Sequence, residues 1–271
     1  MCGIAAFVNY GKEAMSVDGI RKTHVSLESR GTDASGFYFL RDSMKPSQGL
    51  IKAPVRASAL WDNMGKESEN KEAEDIRKKY ALTGHEKFIM LHTRARTRGD
   101  ERVNANNHPL LSKNFIMVHN GHIYSARNKD YTYRGEVDSE EILASIETHG
   151  VPDGLAKLSG SMAVFIKPKR ERFFYAYRNT NPIDIVYFYD SKVLVLASEN
   201  WHVDYRAFGG SHLDNLPEIM FKGKQETYIL SSYTLFKIGI DSPTIEKVAM
   251  PPVAKDDWAT GGKGGGWRGS Y

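Results

Sequence analysis

The sequence predicts a layered α+β domain. Three observations carry that reading: short runs rich in β-branched and aromatic residues recur along the chain, two stretches show helical periodicity, and the two kinds do not alternate one for one. Strands come early, helices in the middle and strands again, which fits stacked sheets and helices and not a βαβ repeat.

The strand runs are CGIAAFV, GFYFL, KFIML, FIMVH, SMAVFIK, RFFYAYR, DIVYFYD and KVLVLAS. Several are apolar throughout, as expected of strands covered on both faces. In the first, Ile4, Ala6 and Val8 alternate toward one layer. The last four lie close together with turn-like KPKRE, RNTNP and YDSK between them, which predicts one antiparallel meander. Residues 18–29 put Ile20, Thr23, His24 and Leu27 on one helical face and stop at Gly31. Residues 139–150, SEEILASIETHG, bring Ile142 and Ile146 together and end at Gly150, which suits a C-cap. Asp138 with Glu141 three residues on has the form of a capping box.

Residues 61–80, WDNMGKESENKEAEDIRKKY, are highly charged and read as a solvated helical insertion or flap. Residues 226–241, ETYILSSYTLFKIGID, read as a closing hairpin. The Gly-rich tail within 251–271 cannot build a core and is expected to be disordered.

A chain of 271 residues can bury a proper core, and 41% hydrophobic with 26% charged residues is a globular composition. A net charge of +4 with no concentrated basic stripe argues against nucleic acid as partner. One cysteine allows no intramolecular disulfide, no apolar run is long enough for a bilayer, and no secretory signal opens the chain. Together these predict a cytoplasmic protein without a membrane partner. No cluster has metal-ligand spacing and no Gly-rich phosphate loop is present, so no cofactor is expected.

That single cysteine is Cys2. Alone it fits a small buried strand residue. Four further segments have the look of functional loops: RGTDASG (30–36), HTRARTRG (92–99), HNGHI (119–123) and EVDSEE (136–141).

In that order, MCGI, RGxDxSG, HTR, NxHP, HNG and D-S-E resemble the class II glutamine amidotransferase domain of the N-terminal-nucleophile hydrolases. That domain also occurs in glucosamine-6-phosphate synthase and amidophosphoribosyltransferase. LSGSMAVF (158–165) and LASEN (196–200) are similar to its later strands. The resemblance spans roughly residues 2–205, leaving 206–250 as an extension packed on the same domain. It implies a four-layer αββα sandwich with two mostly antiparallel sheets.

It also implies a reaction. Removal of Met1 leaves Cys2 with a free α-amine, which titrates near ~8 and can act as base for its own thiol. The thiolate attacks glutamine, ammonia leaves, and water hydrolyses a γ-glutamyl thioester. By the resemblance, Asn120 and the Gly121 N–H form the oxyanion hole, where one lost donor typically costs about 3–4 kcal/mol. Arg94 takes the substrate α-carboxylate and Asp138 its α-ammonium. Arg30 orients the nucleophile, Gly31 and Thr97 line the substrate, and Asp33 organises its loop. His92 and His119 read as structural histidines; for His108 a loop role and a direct role stay equally open.

The chain departs from the family after HTR. Ala95 and Arg98 stand where glucosamine-6-phosphate synthase has tryptophan and histidine, in a loop that closes over glutamine. This bears on affinity and lid closure, not on the thiol chemistry. The function implied is a glutaminase subunit that passes ammonia to a separate synthase and is compatible with a homo-oligomer. The alternatives are a stand-alone amidohydrolase of γ-glutamyl compounds, or a catalytically weak glutamine-binding regulatory module.

Overall fold

The computed structural model describes residues 1–42, 49–66, 78–208 and 230–253. The core of the charged insertion (67–77), the first strand of the predicted closing hairpin (226–229) and most of the tail (254–271) lie outside the described residues.

All eight predicted runs are strands. They are β1 (Gly3–Asn9), β2 (Ala34–Leu40), β4 (Phe88–Arg94), β6 (Phe115–Ile123), β7 (Gly160–Pro168), β8 (Phe173–Arg178), β9 (Asp184–Phe188) and β10 (Val193–Ala197). Four more join them: β3 (Leu50–Ala53), β5 (Leu110–Leu111), β11 (Thr234–Gly239) and β12 (Ile245–Val248). They form two six-stranded antiparallel sheets, ordered β3-β2-β4-β1-β10-β9 and β12-β11-β8-β7-β6-β5. Among the described residues the helices are α1 (Val17–Ser26), α2 (Ala57–Gly65), α3 (Glu140–His149) and α4 (Val151–Ala156), with 78–80 also helical.

Three apolar layers follow from the two-residue period of the strands. Ile4, Ala6 and Val8 of β1 join Phe88, Met90, Ile116, Val118 and Phe165 between the sheets. Ala5 and Phe7 face the other way and pack with Ile20 and Leu60 under α1 and α2. Met117, Val164 and Ile166 pack beneath α3 and α4 against Ile142 and Leu155. The result is the four-layer αββα sandwich. Each central strand is buried on both faces, which is why its sequence carries no polar alternation.

The predicted meander is corrected. β7 pairs β8 in the second sheet, whereas β9 pairs β10 in the first. The RNTNP link therefore crosses between sheets instead of returning as a turn. Asn179 fastens it: Nδ2 donates to Gly160 O at 2.6 Å and Oδ1 accepts from Met162 N at 2.6 Å. The free edge of β8 is then filled by β11. Within the predicted hairpin stretch β11 is a strand and pairs onward with β12, while residues 226–229 lie outside the described residues.

The capping box does not form either. Asp138 Oδ2 accepts from Ile123 N at 2.7 Å, satisfying the end of β6, and Glu141 Oε2 accepts from the Tyr133 hydroxyl at 2.6 Å. Gly150 closes α3 as predicted, at φ 80°, where glycine is favoured. At the head of the charged stretch, Trp61 is buried and stacks on Phe37 with ring centroids 5.4 Å apart. Among the described residues no helix is long and apolar enough to cross a membrane.

Five histidines are buried: His24, His92, His108 and His119 within these layers, and His202 against Ser26 at the end of α1. Trp61 Nε1 donates to His24 Nδ1 at 3.1 Å, so His24 donates through Nε2 to His92 O at 2.9 Å. Burial pushes His24 and His119 down to about 4 and holds His92 and His108 well below the ordinary range. A depressed folded-state pKa means the unfolded chain binds protons first as the pH falls. Stability is therefore complete above the unfolded value near ~6.5 and declines as the pH drops toward 4. Chemical denaturation at stepped pH should show a loss on the order of 3 kcal/mol across that window from His24 alone; a His24→Gln variant should flatten the profile.

Candidate active site

Strand phase gathers the candidate residues. Cys2 directly precedes β1, in phase with Ile4 and Ala6; Arg94 is in phase with Phe88 and Met90; Asn120 is in phase with Ile116 and Val118. All three belong to the layer between the sheets, at the same end of the sandwich. Gly3 pairs with Thr93, and Ala34 with Arg94.

The N-terminus is fixed on several sides. A Cβ at Gly3 would sit 2.6 Å from Thr93 Oγ1 and 2.8 Å from Leu27 Cβ, so β1 lies hard against the 3-10 turn Leu27–Arg30. Arg30 Nε donates to Cys2 O at 2.9 Å, and its Nη1 meets Glu199 Oε1 at 3.0 Å. Glu199 also accepts from Trp201 Nε1 at 2.8 Å. A Cβ at Gly31 would fall 2.3 Å from Ala95 N, so that loop lies flat on the end of β4. Asp33 completes the contact, accepting from Arg96 N at 2.7 Å. The Cys2 Sγ approaches Ala95 O at 3.7 Å. Burial pushes the thiol up; the Met1 ammonium and Arg94 oppose the rise, and Asp138 adds to it.

Arg94 is buried and its fork is engaged. Nη1 donates to Asn107 Oδ1 at 2.7 Å, and Nη2 donates to Gly99 O at 2.8 Å and also to Arg98 O. Gly99 closes this loop at φ 74°, a conformation that favours glycine, with Asn106 Cγ 2.8 Å from where a Cβ would stand. Thr97 and Arg98 are exposed on the loop. The arginines 94, 96 and 98 make no common basic face, since Arg94 is internal and Arg96 pairs with Glu101 at 2.9 Å.

Asn120 is fully buried, and among the described residues neither its Nδ2 nor its Oδ1 has a hydrogen-bond partner. Its carbonyl accepts from Asn181 Nδ2 at 2.9 Å. Gly121 follows at φ 151°, with Ser161 O 1.9 Å from an ideal Cβ position. Asp138 is buried and lies 3.3 Å from His122 Nδ1, with Oδ2 taking the Ile123 N–H. His119 uses both nitrogens, at 2.9 Å with Ser139 Oγ and 3.4 Å with Ser161 O. His92 Nε2 donates to His119 O at 3.2 Å, leaving Nδ1 without a partner among the described residues. His108 stacks on His92 at 4.1 Å between centroids, and neither of its nitrogens is partnered among those residues.

Sequence reasoning missed three residues that hold this arrangement: Glu199, Asn107 and Asn181. Glu199 lay in LASEN, quoted only as a strand. Asn107 was the unspecified position of NxHP, and Asn181 was read as part of a turn. Among the described residues no group of three or more His, Cys, Asp or Glu is placed to hold a metal ion.

Residues 92–203 match the family described as glutamine amidotransferase domain. The chain is similar to the glutamine–fructose-6-phosphate aminotransferase (isomerizing) of Geobacillus kaustophilus, 29% identical over 203 residues, covering 68% of this chain and 30% of that protein. The corresponding Helicobacter pylori enzyme is 27% identical over 205 residues, with the same two shares. The chain thus spans less than a third of the length of these curated relatives. Among solved structures, one titled as the allosteric regulatory enzyme of purine biosynthesis superposes with a TM-score of 0.62 at 16% identity, covering 93% of this chain and 50% of the other. Glutamine phosphoribosylpyrophosphate amidotransferase from B. subtilis gives 0.57 at 15%, covering 91% and 49%. At these identities the structural likeness is one of fold. Residues 92–203 thus match a glutamine amidotransferase domain, and the chain shares its fold with both solved structures.

The backbone at Gly121 leaves no room for a side chain, so Gly121→Ala should cost about 2–3 kcal/mol in strain and displacement of β7. Gly65, whose Cβ would meet nothing within 4 Å, is the control. Thermal melts should show Gly121→Ala falling by roughly 4–12 °C while Gly65→Ala holds or gains.

Proposed function

We propose that this chain hydrolyses the side-chain amide of glutamine, with Cys2 as nucleophile, and delivers the ammonia to a synthase on another polypeptide. One observation carries the reading. Cys2, Arg94 and Asn120 share one end of the inter-sheet layer, and the buried Asn120 amide has no partner among the described residues. A buried amide with no partner is costly in a finished core. It is useful where a charge develops on an oxygen during reaction.

In this mechanism loss of Met1 frees the Cys2 α-amine, which accepts the thiol proton. The thiolate adds to the amide carbon, and the carbonyl electron pair moves to oxygen against Asn120 Nδ2 and the Gly121 N–H. The C–N bond breaks as the α-ammonium returns its proton to the leaving nitrogen. Water then cleaves the thioester, giving glutamate and the free thiol. Burial opposes the thiolate, so a base at the thiol's own residue is the economical arrangement. Arg30 fixes the Cys2 carbonyl, while Asp138 holds the substrate ammonium and Arg94 its carboxylate, with Gly31 and Thr97 alongside.

A second reading rests on the engaged fork of Arg94. If the Arg98 and Gly99 carbonyls are not displaced, free glutamine binds poorly. The site would then serve another γ-glutamyl compound or bind without turnover.

The test uses protein whose N-terminal Cys2 is verified by mass spectrometry. It should release ammonia from glutamine and form a covalent adduct with 6-diazo-5-oxo-norleucine, and Cys2→Ala should abolish both. Processed protein that does neither would sink the proposal. Arg94→Lys loses the planar fork and should raise KM for glutamine about 10–100-fold with a smaller effect on kcat. Unchanged KM for glutamine, with a better kcat/KM for a γ-glutamyl peptide, would favour the second reading.

A further inference from the structure

We infer that Asn181 is a positioning residue that aims the Gly121 N–H, and so sets the strength of the oxyanion hole. This rests on the reading of Cys2 and Asn120 given above. The peptide group is planar and trans, so the carbonyl of one residue and the N–H of the next point in opposite directions. Whatever holds the Asn120 carbonyl therefore fixes the direction of the Gly121 N–H. Asn181 Nδ2 holds it at 2.9 Å.

The preceding peptide is held in the same manner. His119 O accepts from His92 Nε2 at 3.2 Å, a donor from the opposite sheet. Both peptides flanking Asn120 are thus fixed by side chains from outside β6. The β6–β7 register runs on through Asn120 and Gly121, paired with Ala163 and Met162, and these side chains add to that ladder where Gly121 at φ 151° departs from ordinary extended backbone.

Asn181 can do this because the link carrying it is itself fastened. Asn179 Oδ1 accepts from both Met162 N and Thr180 N at 2.6 Å, and Asn179 Nδ2 donates to Gly160 O at 2.6 Å. The far end is held by Leu230 N donating to Ile183 O at 2.9 Å. The crossing between sheets thus places a rigid donor behind the catalytic peptide. Preorganised dipoles of this kind need no reorganisation as charge develops.

The experiment compares Asn181→Ala, Asn181→Asp and Asn181→Gln in the processed full chain. Ala removes the donor, Asp sets an acceptor against the carbonyl, and Gln keeps the amide. The readouts are kcat and KM for glutamine, Cys2 alkylation by iodoacetamide, and affinity for glutamate γ-semialdehyde. Cys2 adds to that aldehyde reversibly: the S–C bond forms and the carbonyl oxygen takes the thiol proton or is held as an oxyanion. Asn181→Ala should lower kcat 10–100-fold with KM within twofold, and Asp should lower it further. Aldehyde affinity should fall in parallel while iodoacetamide alkylation is unchanged, and Gln should recover part of the loss. An unchanged kcat with unchanged aldehyde affinity would overturn the assignment. So would a common loss of aldehyde affinity and alkylation, which marks a collapsed site. Turnover that survives Cys2→Ala would instead sink the proposed function, and with it the reading on which this assignment rests.

Discussion

Two sheets packed face to face admit few polar side chains and make an unpartnered one costly, and the rest of this protein is arranged around that constraint. Because strand side chains alternate strictly, one phase of β1, β4 and β6 supplies both the apolar centre and the chemistry at its end. Ile4, Met90 and Val118 lie in the middle of the layer, and Cys2, Arg94 and Asn120 continue the same rows. Slipping any of these strands by one residue would carry its functional group to the helix side along with its apolar set. Core register and site geometry are therefore one constraint. His92 reinforces it as a side chain of one sheet bonded to the backbone of the other.

Much of this was legible in the residues. The eight apolar runs gave strands because continuous apolar sequence needs cover on both faces, and Gly150 gave a helix end because its φ of 80° suits glycine. The motifs singled out Cys2, Arg94, Asn120 and Asp138 through their order along the chain, and strand phase brings the first three to one end of the layer. What sequence could not convey was pairing. A short link reads the same whether it returns in its own sheet or crosses to the next, so RNTNP passed for a turn. Its asparagines act through backbone atoms, Gly160 O and Asn120 O, which have no signature in sequence. Asp138 misled for a related reason: the spacing to Glu141 is that of a capping box, but the end of β6 offered a buried N–H that outcompeted the helix start.

The charges of the site are settled by the same need for partners. Arg94 is buried with no carboxylate in salt-bridge contact among the described residues, and Asp33 and Glu101 act on it only at longer range. Its hydrogen bonds go to neutral acceptors, the Asn107 amide and the Arg98 and Gly99 carbonyls. These satisfy the guanidinium's donors without cancelling its charge. A substrate carboxylate would bring that cancellation, a Coulombic gain that neutral carbonyls do not match in a partly desolvated site. On the proposed reaction, carboxylate binding and release of the 95–99 loop are then a single exchange at Arg94. Asp138 acts from the other sheet's side, and both charges bear on the Cys2 thiol, Arg94 lowering its pKa and Asp138 raising it. A zwitterionic amino acid bridging the two would neutralise both influences at once. Burial would remain to oppose the thiolate, the condition under which a base on Cys2 itself, freed by the proposed loss of Met1, is most useful.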